Sequence, residues 1–155
     1  MDNLKDLQKE IPYQWRVQSF SKTKANCQCV AYIDARDVQK ILDEVVGPEN
    51  WQDDYKLIDE KLFAGIGIRT KEGWVWKWDT GTESNMEAEK GQVSDAFKRA
   101  GVKWGIGRFL YDLPIQYLDS NEPKTASNFP YPVTIDNKRI WDVTEYINKV
   151  ILKKK

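Results

Sequence analysis

The sequence predicts an α+β fold: an antiparallel β-meander packed on a long amphipathic helix, a β-β-β-α core with an N-terminal β-hairpin. Three observations predict it. Strand-period segments at Trp51–Ile58, Leu62–Thr70 and Trp74–Asp79 are joined only by Asp59–Glu60 and Lys71–Glu72–Gly73, connections short enough to require antiparallel neighbours. Downstream, Val93, Ala96, Phe97, Ala100 and Trp104 recur at i, i+3, i+4, i+7 and i+11 and share one helix face. Upstream, two alternating segments, Tyr13–Phe20 and Cys27–Ile33, flank the polar stretch Ser21–Asn26.

Taken in order, Asp2–Glu10 is a short helical segment with Leu4 and Leu7 on one side, closed by Pro12. In the first strand Tyr13, Trp15 and Val17 take one face and Gln14, Arg16 and Gln18 the other. Lys22 and Lys24 fall at the hairpin tip, as solvated loop lysines or as binding residues. Asp34 is the N-cap of a helix carrying Val38, Ile41, Leu42, Val45 and Val46 at helical spacing, and Gly47–Pro48 stops it. Gly65 and Gly67 share a strand face, where a close backbone approach or a smooth surface is needed. Trp74, Trp76 and Trp78 also share a face. A sheet face packed on the downstream helix is the preferred reading of that stripe, and an exposed base-stacking surface is the alternative.

Gly81–Lys90 is acidic and turns helical at about Met86, with Glu83, Glu87 and Glu89 favoured near a helix N-terminus. In the helix that follows, Lys98 and Arg99 point away from the apolar face and Lys103 lies on the flank, either as a solvated basic face or as a binding one. Gly105–Ile106–Gly107 interrupts the helix, Arg108–Leu113 adds a short helical turn, and Pro114 ends the segment. Ser120–Pro132, rich in Pro, Ser and Asn, reads as a mobile loop, and Val133–Ile135 as a small strand. Trp141–Leu152 reads as an amphipathic helix resting on Trp141, Tyr146, Val150 and Ile151. The basic tail Lys153–Lys155 sits at a helix C-terminus, where cations are favoured. No internal repeat or second domain is visible, and 155 residues suffice for one substantial core.

Composition narrows the chemistry. Lys+Arg and Asp+Glu balance at 24 each, so any anion-binding surface must come from local segregation of charge. The chain has no His, which removes His acid–base catalysis, His-activated nucleophiles and most zinc sites. Cys27 and Cys29 share a strand face, but two thiols make neither a four-ligand site nor a disulfide framework, as suits a reducing cytosol. No G-x-x-x-x-G-K-[ST] occurs, and Gly65-x-Gly67 and Gly105-x-Gly107 lack the third glycine of a dinucleotide fingerprint. Asp53, Asp54, Asp59 and Glu60 could hold a metal, though solvated carboxylates are ordinary near strand ends. The charged N-terminus MDNLKDLQKE is no signal peptide, and no apolar run spans a membrane, so a soluble cytoplasmic protein is expected. No cofactor and no metal is expected. What remains is cations beside aromatic side chains: Arg16, Lys71, Lys98, Arg99 and Lys103, among seven Trp. Single-stranded nucleic acid requires that combination.

The order Trp15–Arg16, Tyr32–Ile33–Asp34, Val38, Gly47, Asn50–Trp51, Lys71–Glu72–Gly73, Gly81 and Val93-x-Asp95-Ala96-x-Lys98-Arg99-Ala100…Trp104-Gly105 resembles the annealing domain of the Rad-fifty-two family. Within that family it looks most like the phage Sak-type single-strand annealing proteins. The similarity runs from about Ile11 to Leu113, so residues 1–113 are expected to form an annealing core and 114–155 a C-terminal extension with a loop and a terminal helix.

The resemblance implies an oligomeric ring with a groove that holds single-stranded DNA by its backbone and turns the bases outward, without ATP. By motif position Arg16, Lys98 and Arg99 match inner-groove phosphate contacts, with Tyr32 beside them, and Lys71 matches an outer DNA site. Lys103 and Arg108 are divided between DNA and a subunit interface. Glu87 and Glu89 stand where eukaryotic members carry lysines. The long C-terminal half that engages a partner recombinase and a single-strand binding protein in those members has no counterpart here.

The sequence therefore points to a non-enzymatic, ATP-independent single-strand annealing protein of recombination and repair. Its partners are single-stranded DNA, the complementary strand, further copies of itself and, as a candidate, a single-strand binding protein. The alternative is an oligomeric scaffold that protects DNA ends without annealing.

Overall fold

A computed structural model describes residues 3–81 and 88–154, with side chains described outside 88–90. Glu83, Glu87, the side chain of Glu89 and Lys155 lie outside the described residues. The fold is mixed α+β with two antiparallel sheets, and the chain divides into two compact units, Met1–Ile11 with Ile33–Tyr111, and Pro12–Tyr32 with Asp112–Lys155.

The first unit is built on the sheet β3 (Trp51–Ile58), β4 (Lys61–Thr70) and β5 (Gly73–Thr80), in the order β3-β4-β5. Its turns follow from local chemistry. Asp59 and Glu60 both take positive φ, 51° and 66°, which matches the right-handed strand twist of a two-residue hairpin. Helix α1 (Ala35–Val45) starts with a reciprocal capping box, in which the Asp34 carboxylate accepts from the Asp37 N–H and the Asp37 carboxylate accepts from the Asp34 N–H. It buries Val38, Ile41 and Leu42, and Gly47 leaves it at φ 91°. The 3₁₀ turn Leu4–Gln8 packs on α1 and buries Leu7.

Helix α2 (Ala88–Lys103) lies across β4 and β5. Its buried side chains are Ala96, Phe97 and Ala100, continued past its end by Trp104 and Ile106. Val93 is not among them: it is 42% exposed, so the apolar face begins one turn later than the spacing predicts.

The tryptophan stripe also departs from expectation, because it is not the core face. Residues directly opposite in an antiparallel pair share a face, and the register sets Trp78 against Gly65, Trp76 against Gly67 and Trp74 against Arg69. The alternate residues of β4, Ala64, Ile66 and Ile68, are fully buried beneath α2. A helix approaches a sheet closely over small and branched side chains, and the indoles are left on the glycine side. Trp76 and Trp78 are half-buried there and Trp74 is exposed.

The second unit is built on β1 (Gln14–Phe20), β2 (Asn26–Tyr32), β6 (Gln116–Ser120) and β7 (Pro132–Val133), in that order. β1 and β2 form the N-terminal hairpin, with a bulge between Val17 and Ser19. The core joins Trp15, Cys27, Cys29, Leu118, Ile140 and Ile147. A hydrogen bond with Cys27, reinforced by burial, holds the Cys29 thiol well above its ordinary pKa. These are packing residues.

In the C-terminal segment two expectations change, for the loop and for the terminal helix, and a strand is added that no expectation covered. Gln116–Ser120 is a strand paired with β2, and Ser120 is buried. The segment after it is tied down by side-chain bonds: Asn128 Nδ2 donates to the Pro123 carbonyl at 2.7 Å, and Lys124 Nζ to the Asn128 carbonyl at 2.7 Å. The terminal helix α3 (Val143–Tyr146), continued as a π-helical turn over Ile147–Ile151, does not rest on Trp141, Val150 and Ile151, which are exposed. It faces β1 with Thr144, Ile147 and Asn148. The Thr144 hydroxyl accepts from the Trp15 N–H at 2.9 Å and the Asn148 side-chain oxygen from the Trp15 indole at 3.3 Å. Polar residues at i and i+4 made the docking stripe invisible to a hydrophobic period.

Candidate nucleic-acid interface

In the first unit, burial of Ala96, Phe97 and Ala100 fixes the roll of α2 and so the direction of its cations. Lys98 is only half-exposed, and its ammonium donates to the Ile33 carbonyl at 3.4 Å. Arg99 is exposed, and its Nε donates to the Asp95 carboxylate one turn back at 3.1 Å. Such an exposed i,i+4 pair contributes about 0.5 kcal/mol and is screened by salt. Arg99 keeps four further N–H donors for another anion.

A denser group of cations gathers where α2 ends. The last carbonyls of a helix lack intrahelical donors, and here side chains supply them. Arg108 donates through Nε to the Val102 carbonyl at 2.8 Å and through Nη2 to that of Lys103 at 2.9 Å. Lys77 reaches the Lys103 carbonyl from β5 at 3.4 Å, with its ammonium 4.6 Å from the centroid of the Trp104 ring. The Trp104 indole is itself anchored by a 2.9 Å hydrogen bond to the Ile66 carbonyl. An open groove of about 710 Å³ runs beside this corner, lined by Lys5, Lys71, Lys77 and Trp104, with Glu72 the one acidic residue among the described lining residues.

Lys71, Lys103 and Arg108 are thus brought to one corner together with Lys5 and Lys77, which the sequence reading missed. The strand alternation of Trp74–Asp79 already placed Lys77 opposite the tryptophans. Its meaning was hidden while those tryptophans were assigned to the core.

In the second unit, Arg16 and Tyr32 lie on the paired strands β1 and β2, whose register sets Gln14 against Tyr32 and Arg16 against Val30. The Arg16 guanidinium sits 5.1 Å from the Tyr32 ring centroid, and the Tyr32 hydroxyl donates to Gln14 Oε1 at 2.6 Å. Both residues line an open groove of about 890 Å³ whose other wall is the C-terminal segment, including Trp141, Lys149 and Lys154. Lys22 and Lys24 are exposed at the hairpin tip and line neither groove.

A family model described as the Rad52/22 family double-strand break repair protein matches residues 61–129. The single-stranded DNA-binding protein DdrA of Deinococcus radiodurans is 32% identical over 149 residues, which cover 88% of this chain and 71% of that protein. The chain belongs to the Rad52/22 family. The DdrA protein of Deinococcus deserti is 33% identical over 130 residues, 78% of this chain and 64% of that protein. No solved structure matches the chain with significance.

The segment matched by the Rad52/22 family model holds β4, β5 and α2, and so Lys71, Lys77, Lys98, Arg99, Lys103 and Arg108. Arg16, Tyr32, Lys22 and Lys24 precede it. The carboxylates considered as metal ligands do not converge. Asp53 and Asp54 are consecutive in β3 and so project to opposite faces. Among the described residues no group of three or more candidate ligands could hold an ion. Asp53 instead accepts from the Tyr55 hydroxyl at 2.8 Å. Among the described residues no helix is long and apolar enough to cross a membrane.

Proposed function

We propose that this chain is an ATP-independent, non-enzymatic protein that binds single-stranded DNA and anneals it to a complementary strand in recombination and repair. The observation that carries this reading is the segregation of charge. A chain with 24 cations and 24 anions collects Lys5, Lys71, Lys77, Lys103 and Arg108 at one end of one helix, with Glu72 the one carboxylate among the described residues of the adjoining groove. Phosphates neutralised there release counterions, which favours binding of any sequence and weakens it steeply with salt. Membership of the Rad52/22 family and the similarity to the single-stranded DNA-binding proteins DdrA support the same substrate.

Arg16, Lys98 and Arg99 are each proposed as an inner backbone contact, with Tyr32 beside Arg16, and Lys71 belongs to a second, outer contact. Lys103 and Arg108 serve either DNA or a subunit contact, and Lys22 and Lys24 are peripheral. The working form is a ring of copies in the cytoplasm. Residues 1–113 supply the annealing core and 114–155 the extension, and a single-strand binding protein is a further partner. Holding one strand extended with its bases free lowers the entropic cost of pairing, and no bond is made or broken.

The test mixes two complementary oligonucleotides with the protein, with and without magnesium and ATP. Faster pairing without either is the expected result. Strands protected from nuclease but no faster to pair would replace annealing with the end-protecting scaffold, and magnesium-dependent degradation would replace both with a nuclease. Light scattering tests the ring, which a monomer at working concentration would exclude.

A further inference from the structure

We infer that the exposed face of the β3-β4-β5 sheet is a further nucleic-acid surface, one that stacks bases on Trp74, Trp76 and Trp78. The face is built for flat indoles. A Cβ placed on Gly65 would fall 2.6 Å from the ring-fusion carbons of Trp78, and one on Gly67 would fall 2.5 Å from Cε2 of Trp76. Each indole therefore lies ring-down on a glycine, a position that any side chain would deny it. The two rings are near-parallel, 23° apart, with centroids 5.6 Å apart, and together make one continuous aromatic floor. Trp74 extends the row and is 41% exposed.

Cations stand at both ends of the row. Lys56 Nζ lies 4.6 Å from the Trp78 centroid, and the Arg69 guanidinium 5.9 Å from that of Trp74. Asp54, opposite Gly65, is the one carboxylate that the register places on this face. Arg69 is also held by Asn50, whose side-chain oxygen accepts from its Nε at 2.9 Å.

Rings in a row with a cation at each end match a strand of nucleic acid, whose bases offer π-faces and whose phosphates offer charge. A second copy of this face is a poorer occupant. It would set Lys56 and Arg69 against the same cations and give them no anion beyond Asp54. The surface is separate from Lys71, Lys77, Lys103 and Arg108, because Lys77 alternates with the tryptophans and so projects from the opposite side of β5.

The inference rests on the reading of the chain as a binder of single-stranded DNA, and the test separates the two. Fluorescence anisotropy is measured with oligothymidylate and with an abasic backbone of equal length, using the full chain, Trp74→Ala and Trp74→Phe. The native chain should bind both. Trp74→Ala should lose about fivefold or more for oligothymidylate with the abasic strand unaffected, and Trp74→Phe should recover most of the loss. An equal loss for both strands, or none for either, overturns base stacking while DNA binding stands. Failure of the native chain to bind either strand overturns both readings.

Photocrosslinking of a bromodeoxyuridine oligonucleotide to the native chain needs no variant. Adducts on Trp74–Trp78 support the surface, and adducts confined to other segments overturn it. A change in oligomeric mass for Trp74→Ala would instead identify the face as a contact between copies and sink the proposal.

Discussion

The side chains of Lys77 and Arg108 converge on one oxygen, the Lys103 carbonyl, at 3.4 and 2.9 Å. One comes from the middle of a strand and the other from the 3₁₀ turn Arg108–Asp112. Their meeting point is the C-terminal end of α2, where the helix dipole favours positive charge. The same carbonyls that need donors therefore concentrate cations.

Lys71→Ala and Lys77→Ala should each weaken single-strand binding and flatten its salt dependence. Each lost phosphate contact reduces the slope of log K against log salt by about 0.7. Anisotropy titrations across a salt series check this, and an unchanged slope for both variants would remove the corner beside Trp104 from the DNA path.

Arg99→Ala separates a structural role from a binding one. Its ion pair with Asp95 is exposed, so the loss of stability should stay below about 1 kcal/mol. Binding to single-stranded DNA should fall clearly at low salt. Urea unfolding and anisotropy on the same sample give both numbers.

At Arg16 the shape of the cation matters as well as its charge. Arg16→Ala should weaken binding more than Arg16→Lys, and Arg16→Lys should still bind less tightly than the native chain, because an ammonium lacks the planar fork that lies over Tyr32. Equal affinities for the two variants would make Arg16 a point charge only.

Gly65→Ala should destabilise the first unit by about 1–3 kcal/mol, since the new methyl group meets the Trp78 ring in a strand that cannot shift freely. Combined with Trp78→Ala the cost should shrink, a coupling readable in a double-mutant cycle of thermal unfolding. Additive losses would show that the indole does not rest on this glycine.

Alkaline pH supplies a check on Tyr55. Burial first, then its hydrogen bond to the Asp53 carboxylate, pushes the phenol well above its ordinary value of about 10. A folded-state pKa above the unfolded one gives stability that is present below about pH 10 and lost as pH rises beyond it. Tyr55→Phe should therefore flatten the fall in stability above that pH, as followed by circular dichroism.

Much of the first unit was legible because its signals are local. Asp34 caps α1 and Gly47 ends it through interactions spanning a few residues. The β3–β4 and β4–β5 turns follow equally from Asp59–Glu60 and Gly73. The spacing of Gly65 and Gly67 signals a close backbone approach or a smooth surface, but not the indoles that rest there, because cross-strand register is set between segments. In the second unit, β6 escaped notice: Gln116–Ser120 is short, and its partner β2 lies some 90 residues away along the chain. The terminal helix was mis-faced because Thr144 and Asn148 dock it with hydrogen bonds.

The candidate DNA contacts divide in the same way. Arg16, Lys71, Lys98 and Arg99 could be named as cations among aromatic residues, whose chemistry holds wherever the fold puts them, and Tyr32 only through the resemblance carried by residue order. Lys5 and Lys77 could not, because neither is notable until Lys77 meets Trp104 and the end of α2. The sequence by itself determined the element types of the first unit, the α1 cap and the absence of His-based chemistry, all of which are local along the chain. Only the tertiary structure decided which sheet face α2 covers, and with it that the tryptophans lie outside on glycine. That choice depends on how closely a helix can approach Ala64, Ile66 and Ile68, a packing distance that no periodicity encodes.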